Sequence, residues 1–238
     1  MSSEQLSEIL LASDCEESIL QAVESGEMDL LVPELTLLSM EQDPIHKHKD
    51  VLAHTIAVVS KTEQEITVRL GALFHDIGKP KTRSFEHGGV TFRHHEVVGS
   101  RMARKRLGKL GYSEQVIDEV VELVRLSGRF KGYADGWSDS AVRRYARDAG
   151  PLLGKLNHLI RCDCTTRNEN KARGVQEAMD DLERRIAALA EEERQAAERP
   201  GLNGLEVMEY LDIGPGPAVA EALAHLLEIK RNEGDLDL

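Results

Sequence analysis

The stretch "ALFHDIGKP", residues 72–80, ends an apolar helical run on an adjacent histidine and aspartate, His75 and Asp76. Gly78 and Pro80 follow as expected stop signals. Two ionisable groups thus stand where the last turn of a packed helix should meet its neighbours. Any fold that buries this turn must find them partners, because burying a charge without compensation is expensive. Upstream, His54 shares one helical face with Val51 and Val58 at i, i+3 and i+7 spacing. Downstream, Asp163 follows Leu156, Leu159 and Ile160 at i, i+3, i+4 and i+7, so a carboxylate points where a leucine should. Two histidines and two aspartates, all inward, can satisfy one another around a divalent ion. Imidazole suits transition metals, and carboxylates add charge and tolerance for several metals, so Mn, Co, Ni, Mg, Fe and Zn all stay open. Such an ion lowers the pKa of water and polarises a phosphoryl oxygen. Taken singly, each residue has a plainer alternative. His54 suits a satisfied core histidine, Asp76 a cap for the next turn, and Asp163 an ion pair with Arg161 or Arg167.

The remaining pattern is helical, and the composition agrees: 41% hydrophobic, 30% charged and only 4% aromatic. Residues 4–25 read as one or two short helices, and "DLLVPELTLLSMEQDP" as a connector. Helices are expected from Asp50, over Thr62–Phe74 with Ile66, Leu70, Leu73 and Phe74 inward, and over 94–110, 113–126, 138–148 and 151–164. A long helix over 172–199 carries Val175, Met179, Leu182, Ile186 and Leu189 as a heptad-like seam, suited to packing on its own domain. "RPGLNG" reads as a linker before two helices within 205–231. "TRSFEHGGVTFR", residues 82–93, is the one good β signal, a small hairpin around Gly88-Gly89. The fold class is therefore all-α with one hairpin. The net charge of −12 argues against a free-standing, non-specific nucleic-acid binder. "RMARKRLGK", residues 101–109, holds five basic side chains and no acid, which suits a solvated face or a local RNA patch. The N-terminus lacks the features of a signal peptide, and no apolar stretch is long enough to span a membrane. With three cysteines (Cys15, Cys162 and Cys164), a reduced, cytoplasmic chain is expected. His46, His48, His87 and His158 read as surface histidines.

The order His54, His75-Asp76, Asp163, with "HDIGK" at its centre, resembles the HD superfamily of metal-dependent phosphohydrolases. Longer segments carry the resemblance further: "EQDPIHKHKDVLAHTIAVV", "ALFHDIGKPKTRSF", "GGVTFRHHEVVGSRMARKRL", "DSAVRRYARDAGPLL", "DCTTRN" and "LNGLEVMEYLDIGPGPAVAEALAHLLE". These are similar to the C-terminal half of bacterial CCA-adding tRNA nucleotidyltransferases, particularly the actinobacterial type, from about residue 10 to residue 232. The resemblance implies a neck-like helical segment over 1–45, an HD domain over 46–170, and a helical arm and tail over 171–238. It also implies hydrolysis of phosphate esters on a nucleotide or RNA terminus. The candidate partners are tRNA and a separate nucleotidyltransferase head. Nothing in the chain resembles that head, so nucleotide addition by this chain alone is not expected. Metal ligation falls to His54, His75, Asp76 and Asp163, and the chemistry to Asp76, Lys79 and His95. His95 is preferred to His94 because Glu96 and Gly99 follow it. Lys79, Arg83 and Arg144 are candidate contacts for a substrate phosphate. Lys79 also suits a solvated charge at a helix C-terminus, and Arg144 a structural ion pair. Histidines are expected where the chain has Ser127 and Lys131, which puts a second metal in doubt.

Overall fold

A computed structural model describes residues 2–40, 50–86 and 89–233. His46, His48, His87 and the Gly88 side of the hairpin turn lie outside these residues. The described chain divides into two compact units, residues 1–185 and 186–238.

The first unit opens with α1 (Ser3–Leu10), started by a capping box between Ser2 and Gln5. Then come α2 (Cys15–Glu24) and α3 (Glu27–Leu31). The expected connector is therefore partly helical, since α3 and a 3-10 turn at Thr36–Leu38 both fall in it. Met28, Leu31, Leu35 and Leu38 are buried, and that apolar spacing is what folds the segment. α4 (Val51–Lys61) is capped by the Asp50 side chain.

α5 (Ile66–Phe74) is central, and every residue in it but Ile66 is buried. From sequence it starts at Thr62. It starts at Ile66, because the Glu65 carboxylate accepts the Val68 N–H as a cap while the Thr62 N–H still closes α4 on Val59. α5 packs against α4, against α8 (Glu114–Leu126) and against α10 (Leu153–Asp163). Gly71 makes the closest approach possible: a Cβ there would stand 3.2 Å from Leu123 Cδ1 and 3.7 Å from Leu159 Cδ2. Among the described residues, the buried Arg69 has no acidic partner. Its guanidinium donates instead to the carbonyls of Leu10, Ala12 and Glu63, so it closes the C-terminal end of α1.

Pro80 does not stop a helix. It lies in the first turn of α6 (Lys79–Thr82), where a missing N–H costs nothing, and Gly78 is the N-cap residue of that helix. The hairpin pairs β1 (Ser84–Glu86) with β2 (Gly89–Thr91), Ser84 opposite Thr91 and Phe85 opposite Val90. His94 then takes a left-handed backbone, φ 62, to turn the chain into α7 (His95–Leu110). A 3-10 turn at Arg129–Asp135 and α9 (Asp139–Ala149) complete this side.

α11 (Glu169–Ala197) runs from the first unit into the second. Of its heptad-like seam, Met179, Leu182 and Leu189 are buried, and Val175 and Ile186 half-buried. Arg161 braces it from α10 through Asp180 at 2.6 Å and Glu183 at 2.7 Å. The second unit adds α12 (Gly204–Leu211), with an Asn203–Glu206 capping box, and α13 (Pro217–Glu233). Val207 and Val219 are buried there, and Arg231 pairs with Glu198 at 2.8 Å. No described helix is long and apolar enough to cross a membrane. The three cysteines are free thiols, with Cys15 and Cys162 buried.

Candidate metal centre

His75 caps the C-terminus of α5, and the chain turns sharply after it: the Ile77 N–H bonds to Phe74 and the Lys79 N–H to Asp76. Gly78 allows this turn to lie on the first turn of α7. A Cβ at Gly78 would fall 2.2 Å from the His95 carbonyl oxygen and 2.8 Å from the Gly99 nitrogen. α4 supplies His54 and the last residue of α10 supplies Asp163. Four elements therefore converge on one point.

The donor atoms stand close together. His54 Nε2 is 2.9 Å from Asp163 Oδ1 and 3.7 Å from Asp76 Oδ2. His75 Nε2 is 3.2 Å from Asp76 Oδ2 and 3.5 Å from Asp163 Oδ1. Two ligands at right angles, each about 2.1 Å from a shared ion, stand roughly 3 Å apart, so these separations suit a common cation. His75 gives the sharpest test. Its Nδ1–H donates to the Ala72 carbonyl at 2.6 Å, which turns Nε2 toward Asp76 and Asp163. Nε2 is buried and, among the described residues, makes no hydrogen bond of good geometry. A buried ring nitrogen facing two carboxylates calls for a positive charge between them, a proton or a metal ion. Among the described residues, His54, His75 and Asp76 offer ligand atoms within 4.8 Å of one another.

Electrostatics agree. Burial opposes a charge on His75, but Asp76 and Asp163 overcome it and push its pKa up to about 10. Burial would raise Asp76, yet His75, His95 and Lys79 hold it well below the usual carboxylate range. Asp163 is lowered likewise, against burial, by His54 and His75. The ordinary alternative for Asp163, a pair with Arg161, fails because that guanidinium is bound to α11.

Lys79 is buried and donates to Asp76 Oδ2 at 2.6 Å, so it is no solvated end charge. His95 is buried, donates through Nδ1 to Phe92 at 2.8 Å, and brings Nε2 to 3.4 Å from Asp76 Oδ1. His94 is exposed. These side chains line a cavity of about 290 Å³ together with Ser127 and Lys131. Arg83 and Arg144 do not line it. Arg83 is exposed over the Phe85 ring at 5.0 Å, and Arg144 is exposed on α9. His158 is half-buried rather than superficial, and its Nε2 accepts the Glu63 N–H at 3.1 Å.

Thr165 and Thr166 also line the cavity, and Thr165 Oγ1 lies 2.8 Å from His54 Nδ1. Sequence reasoning passed over both hydroxyls. Their signal was proximity to Asp163 within "DCTTRN".

Comparison with known proteins agrees with this geometry. The chain is 34% identical over 236 residues to the CC-adding tRNA nucleotidyltransferase of Thermus thermophilus, covering 94% of this chain and 51% of that protein. It is 30% identical over 242 residues to the A-adding tRNA nucleotidyltransferase of Deinococcus radiodurans, covering 95% and 53%. The chain thus spans about half the length of the curated relatives it matches. The family model for the HD domain matches residues 50–194, a span that takes in His54, the His75-Asp76 pair and Asp163. The chain belongs to the HD-domain family.

Proposed function

We propose that the chain is a metal-dependent phosphohydrolase acting on phosphate esters of a nucleotide or RNA terminus. One observation carries this reading: the buried His75 Nε2, aimed by the Nδ1–H bond to Ala72, faces the carboxylates of Asp76 and Asp163 and, among the described residues, makes no hydrogen bond of good geometry. His54, His75, Asp76 and Asp163 would hold a divalent ion. When bound, the ion supplies Lewis acidity toward a phosphoryl oxygen and a lowered pKa for water.

The protein's own groups do the rest. Lys79 and Asp76 form a fixed pair at 2.6 Å, which holds an ammonium at the cavity floor where phosphoryl charge would be met. His95 donates through Nδ1 to Phe92, so Nε2, 3.4 Å from Asp76 Oδ1, is the nitrogen through which it can take or return a proton. Lys131 lines the cavity with an exposed side chain, within reach of a phosphate oxygen. The hydroxyls of Thr165 and Thr166 also line the cavity. A hydrolase screen on the purified chain with Mn, Co, Ni and Mg tests the reading. Turnover lost in His75→Ala is expected, and no turnover with any of these ions would overturn it.

A second reading follows from the relatives, both tRNA nucleotidyltransferases matched over about half their length. The chain would then be the tRNA-binding body of such an enzyme, working with a separate head and without catalysis of its own. Tight tRNA binding that does not change when the metal is stripped would favour this second reading.

A further inference from the structure

We infer that a second cavity beside the metal centre is a slot for the nucleoside portion of the substrate. This rests on the phosphate-ester reading for its biological use, but its binding chemistry stands separately. The cavity measures about 510 Å³, within the range of small-molecule sites. It shares Ser127, Lys131, Asp163 and Cys164 with the metal cavity, so the two adjoin. Their linings differ. The metal cavity is walled by charged and hydroxyl side chains, the second by Phe130, Ile160 and Val175 with the small residues Gly174 and Ala178.

The slot exists because α11 is held off by struts and lacks bulk at that point. Arg161 ties it to α10, and Tyr133 donates to Asp181. Arg185 donates to the Trp137 carbonyl at 2.8 Å. Toward the start of α11, before these ties, a Cβ at Gly174 would meet nothing within 4 Å. Opposite, the Phe130 ring is stacked on Tyr133, centroids 5.5 Å apart and planes 14° from parallel, and Tyr133 meets Trp137 edge-on. Phe130 is therefore fixed before any ligand arrives, which lowers the entropy cost of binding. A preformed aromatic face beside an apolar wall, with few hydrogen-bonding groups, fits a planar nucleobase and discriminates little among bases. Lys131 and Lys171 line the slot and complement an attached phosphate. Ser127 lines both cavities, and its side chain is small where an imidazole was expected. The slot has room for one nucleoside, with its phosphate in the metal cavity.

The test uses the full chain. ¹⁵N-labelled protein in chelator is titrated with adenosine, cytidine, ribose and inorganic phosphate. Adenosine and cytidine should shift the amides of Phe130, Ala134, Gly174 and Ala178, whereas ribose and phosphate should not. Gly174→Leu, which favours the helix, should fill the slot and weaken adenosine by about tenfold or more. Ala178→Leu repeats the test should the first variant melt early. With Mn present, the same variants should raise KM for AMP, or for a short RNA with a terminal phosphate, more than they lower kcat. Whichever substrate responds shows whether the nucleoside arrives free or at a chain end. Adenosine binding that is absent, or indifferent to both variants, would overturn the slot even if AMP is hydrolysed. Slot-dependent adenosine binding in a chain that takes up no Mn would leave the slot standing and remove the hydrolase reading.

Discussion

At the scale of single residues, Asp163 separates a metal site from a buried ion pair. It is hydrogen-bonded by His54 at 2.9 Å and keeps 35% of its side chain exposed. Asp163→Asn retains size and shape but removes the charge that holds a cation. Metal affinity and hydrolysis should fall together, and thermal melts should show lost stability only with excess Mn, since bound metal stabilises the folded form it prefers. Were Asp163 a purely structural partner of the histidines, the variant should lose roughly 3 kcal/mol equally in chelator and in Mn. Thr165 belongs to the same scale. Its hydroxyl meets His54 Nδ1 at 2.8 Å and so positions the ring. Thr165→Val should lower metal affinity by about 10-fold or more, measured by competition with a chelating dye, with the chelator-state melt little changed.

At the scale of elements, the site depends on how the turn after α5 lies on α7. Gly78→Ala would drive a Cβ into the His95 carbonyl at 2.2 Å, with backbone on both sides and nothing flexible to yield. Urea unfolding should show a loss of about 2–3 kcal/mol, and hydrolysis should fall because His95 is displaced from Asp76. A native melt would contradict this packing. A second tie holds the segment after α3 to α7, where Arg106 grips Glu34 with two hydrogen bonds at 2.8 and 2.9 Å. Burial would raise the Glu34 pKa, but the Arg106 hydrogen bonds lower it overall. A group lowered on folding stabilises above its unfolded pKa and loses that contribution as pH falls through the folded value. Glu34→Gln should therefore cost about 1 kcal/mol at pH 7, and the difference from wild type should vanish in acid below the folded pKa. The helices were legible wherever caps and 3.6-residue periodicity agree, as at Asp50, Ser113 and Ser138. Pro80 was not, because proline both ends helices and begins them. Nor was the helical part of the connector, whose Pro33 obscures short apolar turns. His54, the His75-Asp76 pair and Asp163 could be read because ionisable residues interrupt apolar faces. Thr165 and Thr166 interrupt nothing, and the distance of Arg83 and Arg144 from the cavity depends on tertiary packing that no local pattern encodes.

At the scale of the whole molecule, charge decides between a hydrolase and a passive grip on RNA. The net charge is −12. Of the basic run on α7, Arg104 is paired with Asp118 at 2.6 Å and Arg106 with Glu34, leaving Arg101, Lys105 and Lys109 exposed. So thin a basic surface should bind tRNA no tighter than about 10 μM at physiological salt, by filter binding. Sub-micromolar binding would favour the tRNA-body reading instead. Hydrolysis requires first that the point where α4, α5 and α10 meet can hold a divalent ion. Stripping the chain with chelator, reloading it with Mn, and counting retained ions by mass spectrometry for wild type and His75→Ala tests this. The wild type should retain at least about one ion per chain and the variant essentially none, with unchanged helicity by circular dichroism. A wild type that retains no ion, or a His75→Ala variant that retains as many, would contradict the account.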